Sequence, residues 1–245
     1  MYKNKKGKYI IMTFDHIYVN EILETIFPIP KHFGLLMYKN KSYKPINFKS
    51  IKKSILHYDP TASIYYGMSK LVITSPKINN IVIKIPFNGV FEDDEDTKSF
   101  FWCPFEWADG SDSADYCLTE YEKYKKLEIY GLDCFVAKTI FYKKMYNTRI
   151  FIQEKVIPID ELIKSPRASH NSKELADEWY EKGKINIDPE WIANCLDAYG
   201  KSKVSRFLKY CNEIDLDILE DIHTGNFGYR KDKTPCILDY SNYNN

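Results

Sequence analysis

The sequence predicts an α+β fold, with an antiparallel β-rich first half that carries one long helix and a helical second half. Three observations predict it. From Ser63 onward, β-branched runs alternate with turn formers, as in a meander of hairpins. Ser113–Ile129 then reads as one long helix, with Ser113 a plausible cap. Beyond Pro158 the chain turns mainly helical.

The bulk composition bounds the rest. At 245 residues the chain suits one two-lobed domain or two small ones and can bury a real core. Apolar residues at 44% and aromatics at 16% exclude a disordered chain. The net charge is +1, so no whole-molecule field draws the protein to nucleic acid, which is not expected as a partner. Basic charge is nearly all lysine, with arginine only at Arg149, Arg167, Arg206 and Arg230. Together with the many Asn, Ile and Tyr residues, this composition hints at an AT-rich genome such as that of a virus or phage. Six cysteines are scattered without a C-x-x-C pair, and no signal peptide is evident. Reduced thiols in the cytoplasm, that of the host if the source is viral, are the expectation. No apolar run approaches the length needed to span a bilayer, so no membrane partner is expected.

The first sixty residues read as a lysine-rich extension (1–60) with one helix, Val19–Ile26, stopped by Pro28 and Pro30. The Lys3–Lys8 run reads as a solvated end, with weak nucleic-acid contact as the alternative. A first lobe over 61–156 follows. Its strands are Ser63–Tyr66, Leu71–Thr74 and Ile81–Ile85, then Phe135–Tyr142 and Thr148–Gln153 after the long helix. Between them lies an acidic, aromatic insertion over 89–112, containing Glu92–Asp96 and Phe100–Trp107. It reads as a solvated loop with an aromatic anchor, or else as a surface for a protein partner. A second lobe over 157–245 holds helices Ser172–Lys182, Pro189–Ala198 and Lys201–Asn212, with Ser172 and Asp188 as candidate caps. The Tyr121/Tyr124/Leu127/Tyr130 stripe reads as helix core. His16, His32, His57 and His170 lack metal-ligand spacing.

The chemistry is concentrated near the end of the sequence. Asp221-Ile222-His223-Thr224-Gly225-Asn226 forms a polar loop after the last helix, and Phe227-Gly228-Tyr229 enters a short hairpin. That hairpin folds Asp239 back beside Asn226. One carboxamide and one carboxylate brought together are hard oxygen ligands suited to Mg²⁺ shared with phosphates. Asp221, on the same loop, is close enough to accept a proton from an attacking hydroxyl.

On these residues the chain resembles the protein-kinase-like superfamily, especially its aminoglycoside and choline phosphotransferase branch. That family has a catalytic-loop Asp, a metal-binding Asn five residues later, and the Asp of a D-F-G-like motif one short hairpin on. Asp221, Asn226 and Asp239 stand in that order. The resemblance implies a two-lobed kinase-like fold with a reduced helical C-lobe, binding ATP and Mg²⁺. It casts Asp221 as base or hydroxyl-orienting group and places His223 near the γ-phosphate, although His223 also reads as a polar loop residue. Asn226 and Asp239 become the Mg²⁺ ligands. Ile81-Val82-Ile83-Lys84 stands where the family has V-A-I-K, so Lys84 would hold the α- and β-phosphates. Glu120 is the best match for its partner Glu, with Glu122 as fallback. Gly67-Met68-Ser69-Lys70 looks like a one-glycine phosphate loop in which main-chain N–H groups and the Ser69 hydroxyl cap the nucleotide. Ile150–Val156 resembles the last N-lobe strand and hinge, whose main chain around Glu154–Val156 would bond adenine.

The sequence also departs from the family. Leu219 and Glu220 replace the His-Arg pair before the catalytic Asp, so control by activation-loop phosphorylation is not expected. Only six residues follow Asp239, which leaves no activation segment or peptide-docking platform in this sequence. Tyr240-Ser241 stands in place of Phe-Gly, and the phosphate loop has Gly67 alone. The leading expectation is a phosphotransferase moving the ATP γ-phosphoryl to a hydroxyl of a small-molecule or protein acceptor. The alternative is a pseudokinase-like scaffold that engages a partner through the fold, for instance by residues 89–112, without catalysis. Nucleotidyl transfer to a protein is possible on such a fold, but no residue argues for it.

Overall fold

A computed structural model describes residues 12–27, 48–67, 69–91, 98–102, 115–145, 148–162, 166–214, 218 and 224–240. The chain divides into two compact units, Met1–Cys117 with Ile140–Glu154, and Leu118–Thr139 with Lys155–Asn245. Each has its own apolar core. The architecture is mixed α+β with antiparallel pairing. Among the described residues no helix is long and apolar enough to cross a membrane.

The first unit is built on a sheet. Strands β1 (Ser63–Tyr66), β2 (Lys70–Thr74), β3 (Ile81–Phe91), β4 (Lys98–Trp102), β5 (Thr139–Met145) and β6 (Thr148–Glu154) are arranged in the order β1-β2-β3-β6-β5. Strand β4 pairs with the far end of β3, from Phe87 opposite Trp102 to Phe91 opposite Lys98. It falls within the insertion of 89–112; residues 92–97 and 103–114, with the Ser113 cap, lie outside the described residues. Because side chains alternate along a strand, Ile81, Ile83, Ile85 and Phe87 of β3 share one face with Ile150 and Ile152 of β6. The other face of β3 carries Val82 and Lys84.

The apolar face is covered by two helices from the described part of residues 12–58, which group with this unit. Helix α1 (His16–Ile26) contributes Tyr18, Val19, Ile22, Leu23 and Ile26 at helical spacing. It begins three residues before the expected Val19 because Asp15 caps it, accepting hydrogen bonds from the Ile17 and Tyr18 amides at 2.9 and 3.0 Å. A second helix, α2 (Phe48–Tyr58), buries Ile55 fully, and Phe48 stacks on Tyr66 with ring centroids 4.4 Å apart.

Asp59, directly after α2, ties these pieces together. Its carboxylate accepts from the Tyr18 hydroxyl at 2.5 Å, the Ser75 hydroxyl at 2.7 Å, and the Thr61 hydroxyl and amide at 2.6 and 2.9 Å. Burial alone would raise its pKa, but these donors outweigh burial and hold the carboxyl well below the usual range. A depressed folded-state pKa means stability that is complete above the unfolded value of about 3.9 and is lost as pH falls toward the folded value. Tyr18→Phe removes one donor to a charged acceptor, so a loss of about 1.5–3 kcal/mol is expected at neutral pH. In urea melts the gap between the two proteins should hold from neutral pH to about pH 4 and narrow only in more acidic solution, as pH falls toward the folded-state value; a gap that stays constant down to acid unfolding would mean that the charge on Asp59 is not involved.

The second unit is mostly helical. Helix α3 (Tyr116–Tyr130) enters it at Leu118, and α4 (His170–Glu181), α5 (Pro189–Tyr199) and α6 (Lys201–Glu213) follow. Ser169, rather than Ser172, caps α4 and accepts from the Ser172 amide, whereas Asp188 caps α5 as expected. Gly200, at φ +81°, forms the corner that ends α5 and starts α6. The core stacks Phe135 on Phe207 and Trp191 on Phe227, with centroids 4.1 and 4.6 Å apart. A small sheet of β7 (Ile157–Pro158), β8 (Phe227–Tyr229) and β9 (Pro235–Ile237) completes the unit.

One strand differs from expectation. Phe135–Tyr142 is not continuous: Asp133–Phe135 is a single 3-10 turn, and β5 starts at Thr139. Phe135, Val136 and Ala137 are fully buried in the second unit, and the Ala137 amide donates to the Ile237 carbonyl at 2.7 Å. That apolar run therefore anchors β9, and the strand begins only after it. The expected first lobe of 61–156 is also interrupted, since residues 118–139 group with the second unit. The cysteines within the described residues are free thiols, and four of the five are buried.

Candidate functional site

Within the second unit the register of β8 on β9 sets the geometry. Phe227 lies opposite Ile237, and beyond that pair the Leu238 amide donates to the Asn226 carbonyl at 2.9 Å. The hairpin therefore brings the backbone of Asn226 alongside Leu238, one residue from Asp239. Asn226 is 7% exposed and Asp239 is half-buried. Carboxamide and carboxylate oxygens make a donor set that fits a hard divalent cation such as Mg²⁺. Among the described residues no group of three His, Cys, Asp or Glu side chains is arranged to hold a metal. Asp221 and His223 lie outside the described residues, as does Met68.

Glu120 belongs to the same unit, on α3, and is completely buried. A buried carboxylate is costly unless other groups satisfy it. It lies close enough to Tyr240 for its charge to act on that phenol: burial first, then Glu120, raise the Tyr240 hydroxyl well above its ordinary pKa. Tyr240 is itself 2% exposed, donates to the Ala137 carbonyl at 2.8 Å, and is 2.9 Å from the Thr139 hydroxyl. The residue after Asp239 is thus a fixed part of the core, and it links the end of the hairpin to the surroundings of Glu120.

The first unit holds the other candidates. Lys84 sits in the middle strand of the β1-β2-β3-β6-β5 order, opposite Val72 and Phe151, and is 4% exposed. Strand alternation puts Lys70 and Arg149 on its face, each 7% exposed. Arg149 is paired with Asp115 at 3.2 Å, just before the helix that carries Glu120. Neither Arg149 nor Asp115 was singled out from sequence. The rarity of arginine was the available signal, but the pairing spans 34 residues and has no local pattern.

The Gly67 turn joins β1 to β2, and the Gly67 amide donates to the Lys70 carbonyl at 3.2 Å. Its φ is not left-handed and a Cβ there would meet nothing within 4 Å, so neither strain nor crowding demands glycine. Ser69 is 3% exposed, and its carbonyl accepts from the Phe87 amide at 2.8 Å. Glu154 is the last residue of β6, opposite Ile81. Val156 is buried in the second unit against Ala137 and Cys236. Comparison with protein-family models and with curated proteins finds no match to this chain. The site is therefore read from its own residues.

Proposed function

We propose that this protein is a kinase-like phosphotransferase that uses ATP and Mg²⁺ to phosphorylate a hydroxyl group. The observation that carries the reading is the hairpin register that brings Asn226 alongside Leu238 and so next to Asp239. The buried Lys84 in a central strand and the buried Glu120 near Tyr240 support it as well. In this reading Asn226 and Asp239 would hold Mg²⁺, which would neutralise phosphate charge, and Lys84 would engage the α- and β-phosphates. Gly67 and Ser69 belong to the loop over the phosphates, and the main chain at Glu154–Val156 receives adenine. Asp221 accepts the acceptor's proton as the new O–P bond forms and the bond from the γ-phosphorus to the bridging oxygen breaks, releasing ADP. His223 stands beside the transferred group. The rate gain comes from positioning and charge neutralisation.

Thermal unfolding with and without ATP, at zero and millimolar Mg²⁺, tests this reading. At a hundredfold excess over its dissociation constant, a ligand of the folded state stabilises by about 2.7 kcal/mol. For a chain of this size that raises Tm by several degrees. The expected result is a shift with ATP that grows with Mg²⁺ and is lost in Asp239→Asn. No shift under any condition would overturn nucleotide binding and favour the scaffold alternative.

A further inference from the structure

We propose that the second unit carries a separate anion site, a cleft that takes a small organic phosphate with an apolar portion. The cleft has a volume of about 540 Å³, within the range of small-molecule pockets. Its walls bring Arg167, Arg230, Lys231 and Lys233 together over an apolar floor that includes Ile157 and Leu162. Among the described residues, no Asp or Glu lines it. Asp232, in the same turn, accepts through Oδ1 from the Thr234 amide at 3.0 Å and the Thr234 hydroxyl at 2.7 Å.

Two features mark the cations as placed rather than merely clustered. The Arg230 guanidinium is held by the Cys134 carbonyl at 2.9 Å, the Val136 carbonyl at 3.0 Å and the Tyr199 hydroxyl at 3.1 Å, so its charge is fixed before any ligand arrives. Lys233 is the one described non-glycine residue with a positive φ, at +66°. Its amide donates to the Arg230 carbonyl at 2.8 Å, closing the turn between β8 and β9. A left-handed turn position favours glycine or asparagine, so a lysine there carries backbone strain in exchange for a cation at the cleft wall. Arginine forks and lysine ammonium groups suit the several oxygens of a phosphate dianion, and the floor suits an apolar body. The proposal does not depend on phosphotransfer, since none of these residues belongs to the candidate ATP site.

Titration of the full chain with 1-naphthyl phosphate tests it, with inorganic phosphate and 1-naphthol as the two halves of the probe. The expected result is sub-millimolar binding of the whole probe that weakens as salt is added, with each half at least about tenfold weaker. Arg167→Gln with Lys233→Gly should weaken binding by about tenfold or more. Lys233→Gly alone should hold or raise Tm while still weakening binding, which separates recognition from folding. Lys84→Ala should bind the probe as the natural chain does. Undiminished affinity in the double variant, no binding by the natural chain, or loss of binding in Lys84→Ala would each overturn the site.

Discussion

Gly228→Ala is expected to destabilise the second unit by about 3 kcal/mol or more, the largest stability effect of any single methyl group considered. Gly228 is the middle residue of β8, paired on one side with Pro158 and on the other with Cys236. A Cβ there would overlap the Ile157 carbonyl oxygen and come within 2.6 Å of Val156 Cγ1 and 2.8 Å of Leu238 Cδ2. Backbone on a neighbouring strand cannot move aside as a flexible side chain can, so β7 and β8 must separate. Because Asn226 and Leu238 hang on the same hairpin, the variant should also lose the ATP-dependent shift in Tm. Gly67→Ala is the contrast: with open space around it, a change within about 0.5 kcal/mol is expected. Urea denaturation of both variants decides the matter, and equal stabilities would refute the crowding at Gly228.

The second large effect is on catalysis. Asp221→Asn should leave ATP and Mg²⁺ binding intact while lowering phosphoryl transfer by about 10²-fold or more, the usual cost of removing a general base. An amide keeps the size and polarity of the carboxylate but cannot take the acceptor's proton. The measurement is ADP release over time, alongside the thermal shift in the same variant. Equal turnover in Asp221→Asn would remove it from the proposed mechanism. Loss of both binding and turnover would assign it to holding the nucleotide.

Much of the β-strand pattern was legible because β-branched runs such as Ile81–Ile85 and Thr148–Gln153 stand between clear turn formers. The helices after residue 169 were legible for a similar reason, being punctuated by Asp188-Pro189 and Gly200. That Asn226 lies alongside Leu238, the residue before Asp239, followed from a short hairpin. Helix α2 was not legible, because its apolar positions Phe48, Ile51, Ile55 and Tyr58 are diluted by three lysines and two serines. Phe135–Ala137 misled because an apolar run signals burial without saying in which element. Asp115 with Arg149, and Tyr18 with Asp59, are bonded across 34 and 41 residues, distances over which a local pattern carries no information.

The interleaving of the two units has a consequence for how the protein is made. The first unit is not complete until Glu154 has been added, by which point residues 118–139 of the second have already been made. That early piece carries Glu120, Tyr124 and Phe135, whose burial depends on partners as late as Phe207 and Tyr240. Domains fold most readily as contiguous stretches in order of synthesis. Here a buried carboxylate and several aromatic rings must wait on the ribosome for about a hundred residues of further translation, at a rate of roughly 5–20 residues per second. That order of synthesis leaves several seconds in which the apolar surface of this early piece has no partner to cover it.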